Sequence, residues 1–264
     1  MLGGLTDLTN RSNTDLGERM LNTVASQSIR HLFTSSRSVD VEVRCYPSSK
    51  LLQGSIDSFK MKGQELVIRR DFRCEEMSFE TDAVAIDVAA ILAGKLKLKQ
   101  PTQAVAQVLL SEDAVNQAFE AELVKKRLQN VESETLLNIS GGEPVSFESV
   151  SLSLLPENRV KIRAMADLPN RSNVPVQLLA TLAVEKRRRV LFSAPEFDPT
   201  DVPEDVQGLA KVLSDAFAQI LNDMVDMDRF DLDGVMLRIN RLETRGKQVV
   251  FSGYAQITHF PGTR

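Results

Sequence analysis

Tryptophan is absent from the 264 residues, and tyrosine, histidine and cysteine occur twice each. Each scarcity excludes a class of function. With only Tyr46 and Tyr254 beside the phenylalanines, stacking platforms for bases or sugars are poorly supplied. A formal net charge of −4 argues against a nucleic-acid partner held by bulk electrostatics. His31 and His259 form neither a His-x-x-x-His nor a His-x-His pair, so an imidazole-based metal site lacks its ligands. A lone histidine on an amphipathic helix is more often a filler than a catalyst. Cys45 and Cys74 are too few for a disulfide framework or a four-ligand zinc site, and two buried free thiols fit better than a cross-strand bridge. There is no Gly-x-Ser-x-Gly elbow, no Gly-x-Gly-x-x-Gly turn and no P-loop, since Gly94-Lys95 lacks both the preceding glycine and the following hydroxyl residue. No window approaches the length of apolar sequence that a spanning helix needs. The first residues, MLGGLTDLTNRSNTDLGERM, hold neither a basic n-region nor a continuous apolar stretch, and glycine stands at position 3 rather than 2. Neither a secretory signal nor myristoylation is therefore expected, and the chain reads as cytoplasmic or peripheral to a membrane.

What is present is periodicity. Hydrophobic content of 42% and charged content of 26% are ordinary for a globular chain that can bury a sizeable core. Residues 1–14 are polar and read as a flexible arm. Asp15 and Glu18 make a capping box for a helix to about residue 35, with Leu21, Ala25, Ile29, Leu32 and Phe33 on one face. Val39, Val41, Val43 and Cys45 then alternate as a strand, and Val88 to Ala93 reads as a short helical turn closed by Gly94. Residues 95–110 alternate most cleanly: Leu96, Leu98, Ala104, Ala106, Val108 and Leu110 share one parity, and Pro101 bends or splits the run. Ser111 caps a helix expected to continue to about residue 129, with Val115, Ala118, Phe119 and Leu123 inward. The basic triplet Lys125, Lys126 and Arg127 sits near its C-terminus, where it complements the helix dipole. Gly141, Gly142 and Pro144 mark a break near residues 140–144. This is the candidate boundary between two halves of a domain spanning residues 15–264. Strands follow around Leu152 and Leu154, then 160–168, 174–184 and 187–197. Asp201 and Glu204 are expected to cap a long helix with the stripe Val206, Leu209, Ala210, Leu213, Ala216, Phe217, Ile220, Leu221 and Met224. A hairpin ends the chain, and a parity change from Phe230 and Leu232 to Val235 and Leu237 suggests a bulge at Gly234.

Few polar clusters point to chemistry. Asp226, Asp228, Asp231 and Asp233-Gly234 fail the register of a calcium loop, because Arg229 and Asn240 fall at its first and last ligand positions. Asp57 and Asp87 each follow an isoleucine; hydrogen bonding to turn N–H groups is a simpler role for them than acid–base catalysis. Lys95, Lys97 and Lys99 line one strand face, residues 186–189 form a basic turn, and Arg69-Arg70 sit at a strand end. Converging at one end of a sheet they would attract anionic headgroups, at about 1 kcal/mol per charge near a membrane. Scattered, they are a solvated surface balanced by acidic neighbours, and the sequence alone favours this plainer reading.

Residues 45–87 carry a recognisable pattern: Pro47, Leu51, Leu52, Gly54, Ile56 and Asp57, then Thr81, Val84, Ile86 and Asp87. Pro47 suits a strand end and Gly54 a tight reversal. This segment resembles the bacterial LmeA-like phospholipid-binding family, though many of those proteins carry an export or lipoprotein signal that the first residues here do not match. The resemblance implies an α+β fold similar to tubular lipid-binding proteins, with a long curved antiparallel sheet wrapped around long amphipathic helices. It implies phospholipid or another acyl lipid as the partner, bound in an apolar groove without catalysis, cofactor or metal, with transfer or envelope maintenance as its use. Leu51, Leu52, Ile56, Phe59, Met61, Leu66, Ile68 and Phe72 are then the first candidates for lipid contact. Lys95, Lys97, Lys99, Arg187 and Arg188 are the candidates for headgroup or membrane-surface contact. The small inward residues Thr102, Ala104, Ala106, Ala164, Ala166, Ala180, Gly253 and Ala255 leave room either for close helix packing or for an acyl chain. Two other readings compete: an adaptor domain binding a protein partner through a sheet edge or helix face, and an enzyme using two of Asp57, Asp87, Glu76 and Glu80.

Overall fold

Alternation of apolar and polar side chains makes strand the commonest structure in this chain, and the strands assemble entirely by antiparallel pairing. The computed structural model describes residues 16–47, 49–68, 72–225 and 234–259. Helix α1 (Leu16–Arg30) precedes β1 (Ser38–Arg44), the single turn α2 (Ser49–Leu52) and β2 (Ser55–Ile56). The long pair β3 (Ser58–Ile68) and β4 (Phe72–Thr81) follows, then β5 (Val84–Ala85), α3 (Val88–Leu92) and β6 (Thr102–Ser111). Three short helices, α4 (Glu112–Phe119), α5 (Glu122–Leu128) and α6 (Glu134–Ser140), lead into the meander β7 (Ser146–Leu154), β8 (Arg159–Leu168), β9 (Arg171–Glu185) and β10 (Arg189–Phe197). Helix α7 (Gln207–Met224) and the hairpin β11 (Val235–Arg245) and β12 (Gln248–Ile257) complete the order.

The architecture is mixed α+β with antiparallel sheets, but the strands divide among three sheets rather than forming the one long sheet expected. A six-stranded sheet runs β1-β3-β4-β6-β12-β11, a four-stranded sheet β10-β9-β8-β7, and β2 pairs with β5 alone. The last hairpin returns to the first half of the chain: β12 pairs with β6 from Ile257↔Thr102 to Gln248↔Ser111.

Two hydrophobic clusters cover one face of the six-stranded sheet. The first packs Leu21, Val24, Ala25 and Ile29 of α1 against β1 and β3, and extends to Ala104, Ala106, Ala255 and Ile257. The second joins α7 and the four-stranded sheet, where Phe147 and Phe217 rings tilt at 31° with centroids 4.7 Å apart. It reaches Ile239, Leu242 and Val249 of the six-stranded sheet. The expected α7 stripe is the buried face, although α7 begins after a 3-10 turn at Glu204–Val206 with no side-chain cap, so Asp201 and Glu204 do not form the expected box.

Three other expectations are corrected. The helix capped by Ser111 stops at Phe119 and restarts at Glu122, which lets Leu128 reach the second cluster and leaves Leu123 exposed. No glycine or proline marks that break. Helix α6 was not anticipated, although Ser133 caps it through the Leu136 N–H (3.3 Å) and Gly141, at φ +80°, ends it. Of residues 95–110, only β6 joins the six-stranded ladder, and Leu98 bridges to Ile86 instead. The register shift of the last hairpin falls between Ile239 and Arg241 rather than at Gly234; Phe230 and Leu232 lie outside the described residues.

Each outer strand of the two main sheets is met by an asparagine. Asn22 of α1 accepts the Val43 N–H of β1 at 2.6 Å. Asn116 of α4 accepts from the Leu152 N–H and donates to the Leu152 carbonyl on β7, at 2.7 and 3.0 Å. Asn222 of α7 does the same at Phe192 on β10, at 2.7 and 3.3 Å. Asn158, in the β7–β8 turn, accepts the Thr244 N–H (2.7 Å) and donates to the Leu242 carbonyl (3.2 Å) on β11. A carboxamide offers one donor group and one acceptor, as a neighbouring strand residue would, so it satisfies backbone groups that an open edge leaves to solvent or to another chain.

Replacing Asn222 by alanine strands backbone groups at the rim of the second core and should cost about 1–3 kcal/mol, read as a lowered urea midpoint with an unchanged slope. The Lys161–Asp198 pair, 2.6 Å apart and mostly buried, gives a second test. The hydrogen bond from Lys161, then that from Thr200, holds the Asp198 pKa down at about 2 against an ordinary 3.8. A depressed carboxylate stabilises the fold above its unfolded pKa, and the gain is lost as pH falls through the folded value. Asp198→Asn should therefore be less stable than the native chain at pH 7, with the gap closing between pH 3.8 and about 2.

Candidate functional site

The residues of the Pro47-to-Asp87 pattern fold into a cover over one end of the six-stranded sheet. After β1 the chain turns at Pro47, whose carbonyl accepts the Lys50 N–H at 3.0 Å, and α2 ends with Gly54 N–H on the Leu51 carbonyl at 2.8 Å. Gly54 has φ +77°, and a Cβ there would lie 2.6 Å from the Ile86 carbonyl oxygen, so no other residue fits without a shift. The Ile86 N–H donates to the Gly54 carbonyl at 2.9 Å, and Ile56 pairs with Val84.

The two aspartates hold this cover together. Asp57 accepts from Lys50 Nζ and from the Tyr46 N–H, both at 2.6 Å, and those bonds lower its pKa, the lysine more than the amide. Asp87 caps α3 by accepting the Ala90 N–H at 3.2 Å, while its own N–H donates to the Lys97 carbonyl at 2.9 Å. Both have the turn-bonding role expected from sequence. Residues 96–98 then run beside β5, with Leu98 bridged to Ile86 and the Lys99 N–H on the Ala85 carbonyl.

Between cover and sheet lies an apolar cavity of about 10 Å³. Ile56, Val84, Ile86, Leu96 and Leu98 face it from the cover; Phe59, Thr81, Thr102 and Ile257 face it from the sheet. That volume matches about one water-sized sphere and is far below an acyl chain. Admitting a chain requires the cover to separate from the sheet, and the β2–β5 pairing it would strain is only two residues long in each strand.

The candidate lipid contacts do not gather at one place. Ile56 and Phe59 line the cavity, and Leu51, Met61 and Leu66 are buried in the same cluster. Ile68 pairs with Phe72 at the far end of β3, nine positions from Phe59, or about 30 Å along the strand. Leu52 is 80% exposed. The lipid-contact candidates read from sequence omitted Val84, Ile86, Leu96, Leu98 and Ile257; their inward parity was legible, but which strands would face them was not.

Among the basic candidates, Lys95, Lys97 and Lys99 lie on the cover and are exposed. Arg187 belongs to the β9–β10 turn, where it bonds Asn240 and lies 5.6 Å from the Tyr254 ring centroid, and Arg188 follows it. Arg69 and Arg70 lie outside the described residues. Glu76 and Glu80 pair across the β3–β4 ladder with Lys62 and Lys60 at 3.2 and 2.6 Å. The four carboxylates weighed for catalysis are thus engaged in ladders, turns and a helix cap. A polar recess of about 400 Å³ near Glu75, Glu112, Arg245 and Lys247 holds paired groups: Glu112 accepts from Lys247 at 3.0 Å and from the Leu154 N–H at 2.7 Å. No cluster of three metal-ligating side chains occurs among the described residues. Cys45 and Cys74 are buried and form no disulfide, the Cys45 thiol bonds the Ser55 carbonyl at 3.4 Å, and burial raises the Cys74 pKa to about 11. Among the described residues no helix is long and apolar enough to cross a membrane.

A family model described as LmeA-like phospholipid-binding matches residues 13–253. No curated protein and no solved structure matches the chain significantly.

Gly54→Ala should destabilise the protein by about 1–3 kcal/mol, because it imposes a left-handed alanine as well as a clash with a backbone oxygen. Faster amide exchange confined to Ile86 and its neighbours would locate the damage in the cover; an unchanged melting temperature would contradict the assigned turn.

Proposed function

Because the chain belongs to the LmeA-like phospholipid-binding family, we propose that it binds phospholipid without catalysis, admitting acyl chains between the six-stranded sheet and the cover of β2, β5 and residues 96–98. The observation that carries this reading is the match over residues 13–253, joined to the position of the family-like pattern. Ile56, Val84 and Ile86 of that pattern line one side of the apolar cavity, and they are the wall we take to move. Opening that wall exposes hydrocarbon on both sides, a surface that water penalises and an acyl chain relieves. The bound lipid thus replaces contacts that the closed cover makes with the sheet. A protein that holds one lipid under such a cover is suited to carrying it between membranes, and we assign it that use.

The purified protein should carry phospholipid identifiable by mass spectrometry, and after delipidation it should take up a fluorescent short-chain phospholipid supplied below its micelle concentration. Val84→Phe fills the space and should reduce uptake severalfold, with an overpacking cost of about 1–3 kcal/mol that leaves the fold intact. A folded native chain that is free of lipid and takes none up would overturn the reading. Movement of labelled lipid from donor to acceptor vesicles, faster with protein than without, tests carriage.

A further inference from the structure

The three most exposed large hydrophobic residues among those described are Tyr46 (83%), Leu52 (80%) and Leu92 (74%), and all three sit on the cover. Helices α2 and α3 end alike, as Leu51-Leu52-Gln53-Gly54 and Ile91-Leu92-Ala93-Gly94. In each, the first aliphatic residue is buried, the leucine after it is exposed, and a glycine at φ +77° or +76° turns the chain away. Each helix therefore anchors itself with one side chain and presents the next to solvent.

Hydrogen bonds fasten these pieces together. The Tyr46 N–H and the Lys50 ammonium share Asp57, Ile86 N–H reaches the Gly54 carbonyl, and the Lys95 N–H reaches the Ala90 carbonyl of α3. The Lys99 ammonium lies over Gly54, where a Cβ would collide with it. Lys95, Lys97 and Lys99 are exposed and make no ion pair among the described residues; Lys186 and Lys211 share that state singly, far away in the chain, whereas the other seven described lysines are paired. From Val88 to Pro101 the chain has these three lysines and no acidic residue, within a protein of net charge −4.

We infer that this cover is a membrane-docking apex: Leu52, Leu92 and Tyr46 enter the interface of an anionic bilayer while Lys95, Lys97 and Lys99 meet its headgroups. Lysine is depleted from the buried centre of protein–protein interfaces, which disfavours a protein partner for a patch that mixes it so closely with leucine. At a bilayer the same mixture fits, since lysine keeps its ammonium among phosphates while its stem lies along hydrocarbon, and tyrosine prefers that depth. The inference rests on the lipid-binding reading for its biological sense, because the docked face is the one that must open to admit an acyl chain.

Flotation of the full chain with phosphatidylcholine vesicles, with and without phosphatidylglycerol, tests it. The native chain should float with the anionic vesicles and lose that binding in high salt. Replacing Lys95, Lys97 and Lys99 together by serine should weaken partitioning on the order of a hundredfold, about fivefold for each lysine. Leu52→Ser and Leu92→Ser should each weaken it about tenfold, while Leu123→Ser, at an exposed leucine on α5, should leave it unchanged. Uptake of monomeric short-chain phospholipid by the native chain, measured without vesicles, reads the cargo separately from docking. Native protein that ignores anionic vesicles, or apex variants that float as the native chain does, would overturn the docking apex even if uptake persists. Flotation lost in the apex variants supports the apex even if uptake fails, in which case only the cargo reading falls.

Discussion

The fold depends on how four sheet edges are closed. A six-stranded and a four-stranded antiparallel sheet leave β1, β11, β7 and β10 as outer strands, and none is sealed by closure into a barrel. Open edges present unpaired N–H and C=O groups, which invite strand addition. Asn22, Asn158, Asn116 and Asn222 each supply a carboxamide to one of those strands. Three of the four come from helices, so the bonds that satisfy the sheets also set where α1, α4 and α7 lie on them. Asn158 works differently: it ties the turn of one sheet to the edge of the other, and Ile239 N–H on the Arg187 carbonyl (2.7 Å) repeats that link nearby. These pairings leave less edge free for a protein partner to extend, which weighs against an adaptor that recruits by strand addition.

The cover at the opposite end of the six-stranded sheet is built with less. Its strands β2 and β5 pair over two residues, and its helices α2 and α3 are a turn or so long. Short ladders, few long-range bonds and a small apolar gap beneath are the properties expected of a segment that opens at modest cost. The strong elements surround it: β3, β4, β6 and β12 form a continuous ladder below, and Asp57 and Asp87 fix its corners from within. A rigid sheet with one weakly attached, apolar-lined corner is the physical basis of the proposed lipid site, and the exposed lysines on that corner are the basis of the proposed docking.

Legibility in the sequence followed the range of the interaction. The turn at Gly54, the N–H bonding of Asp57 and Asp87, the cap at Ser111, the inward face of α7 and the burial of both thiols were readable, because each depends on residues within a few positions or on a single period. The restart of the helix after Glu120 was not, since it serves the distant need to bury Leu128. Helix α6 has signals in Ser133 and Gly141, but only Gly141 enters the sequence reading, and there as a break. At the site, the sequence named Ile56 and Phe59 as lining residues but also named Ile68 and Phe72, because all four share an apolar character along one hairpin. Distance along a straight strand separates them, and apolar character carries no information about distance.

By itself the sequence determined which side of each strand and helix would be buried, where several turns would fall, and that residues 45–87 resemble a phospholipid-binding family. These are local properties, set by the two- and 3.6-residue periods of the backbone and by the steric freedom of glycine. Only the tertiary structure decided that β12 lies beside β6, that asparagines close the edges, and that Leu96, Leu98 and Ile257 meet Ile56 and Val84 around one cavity. Alternation makes a face apolar without naming the face it will meet, and that choice belongs to contacts between residues far apart in the chain.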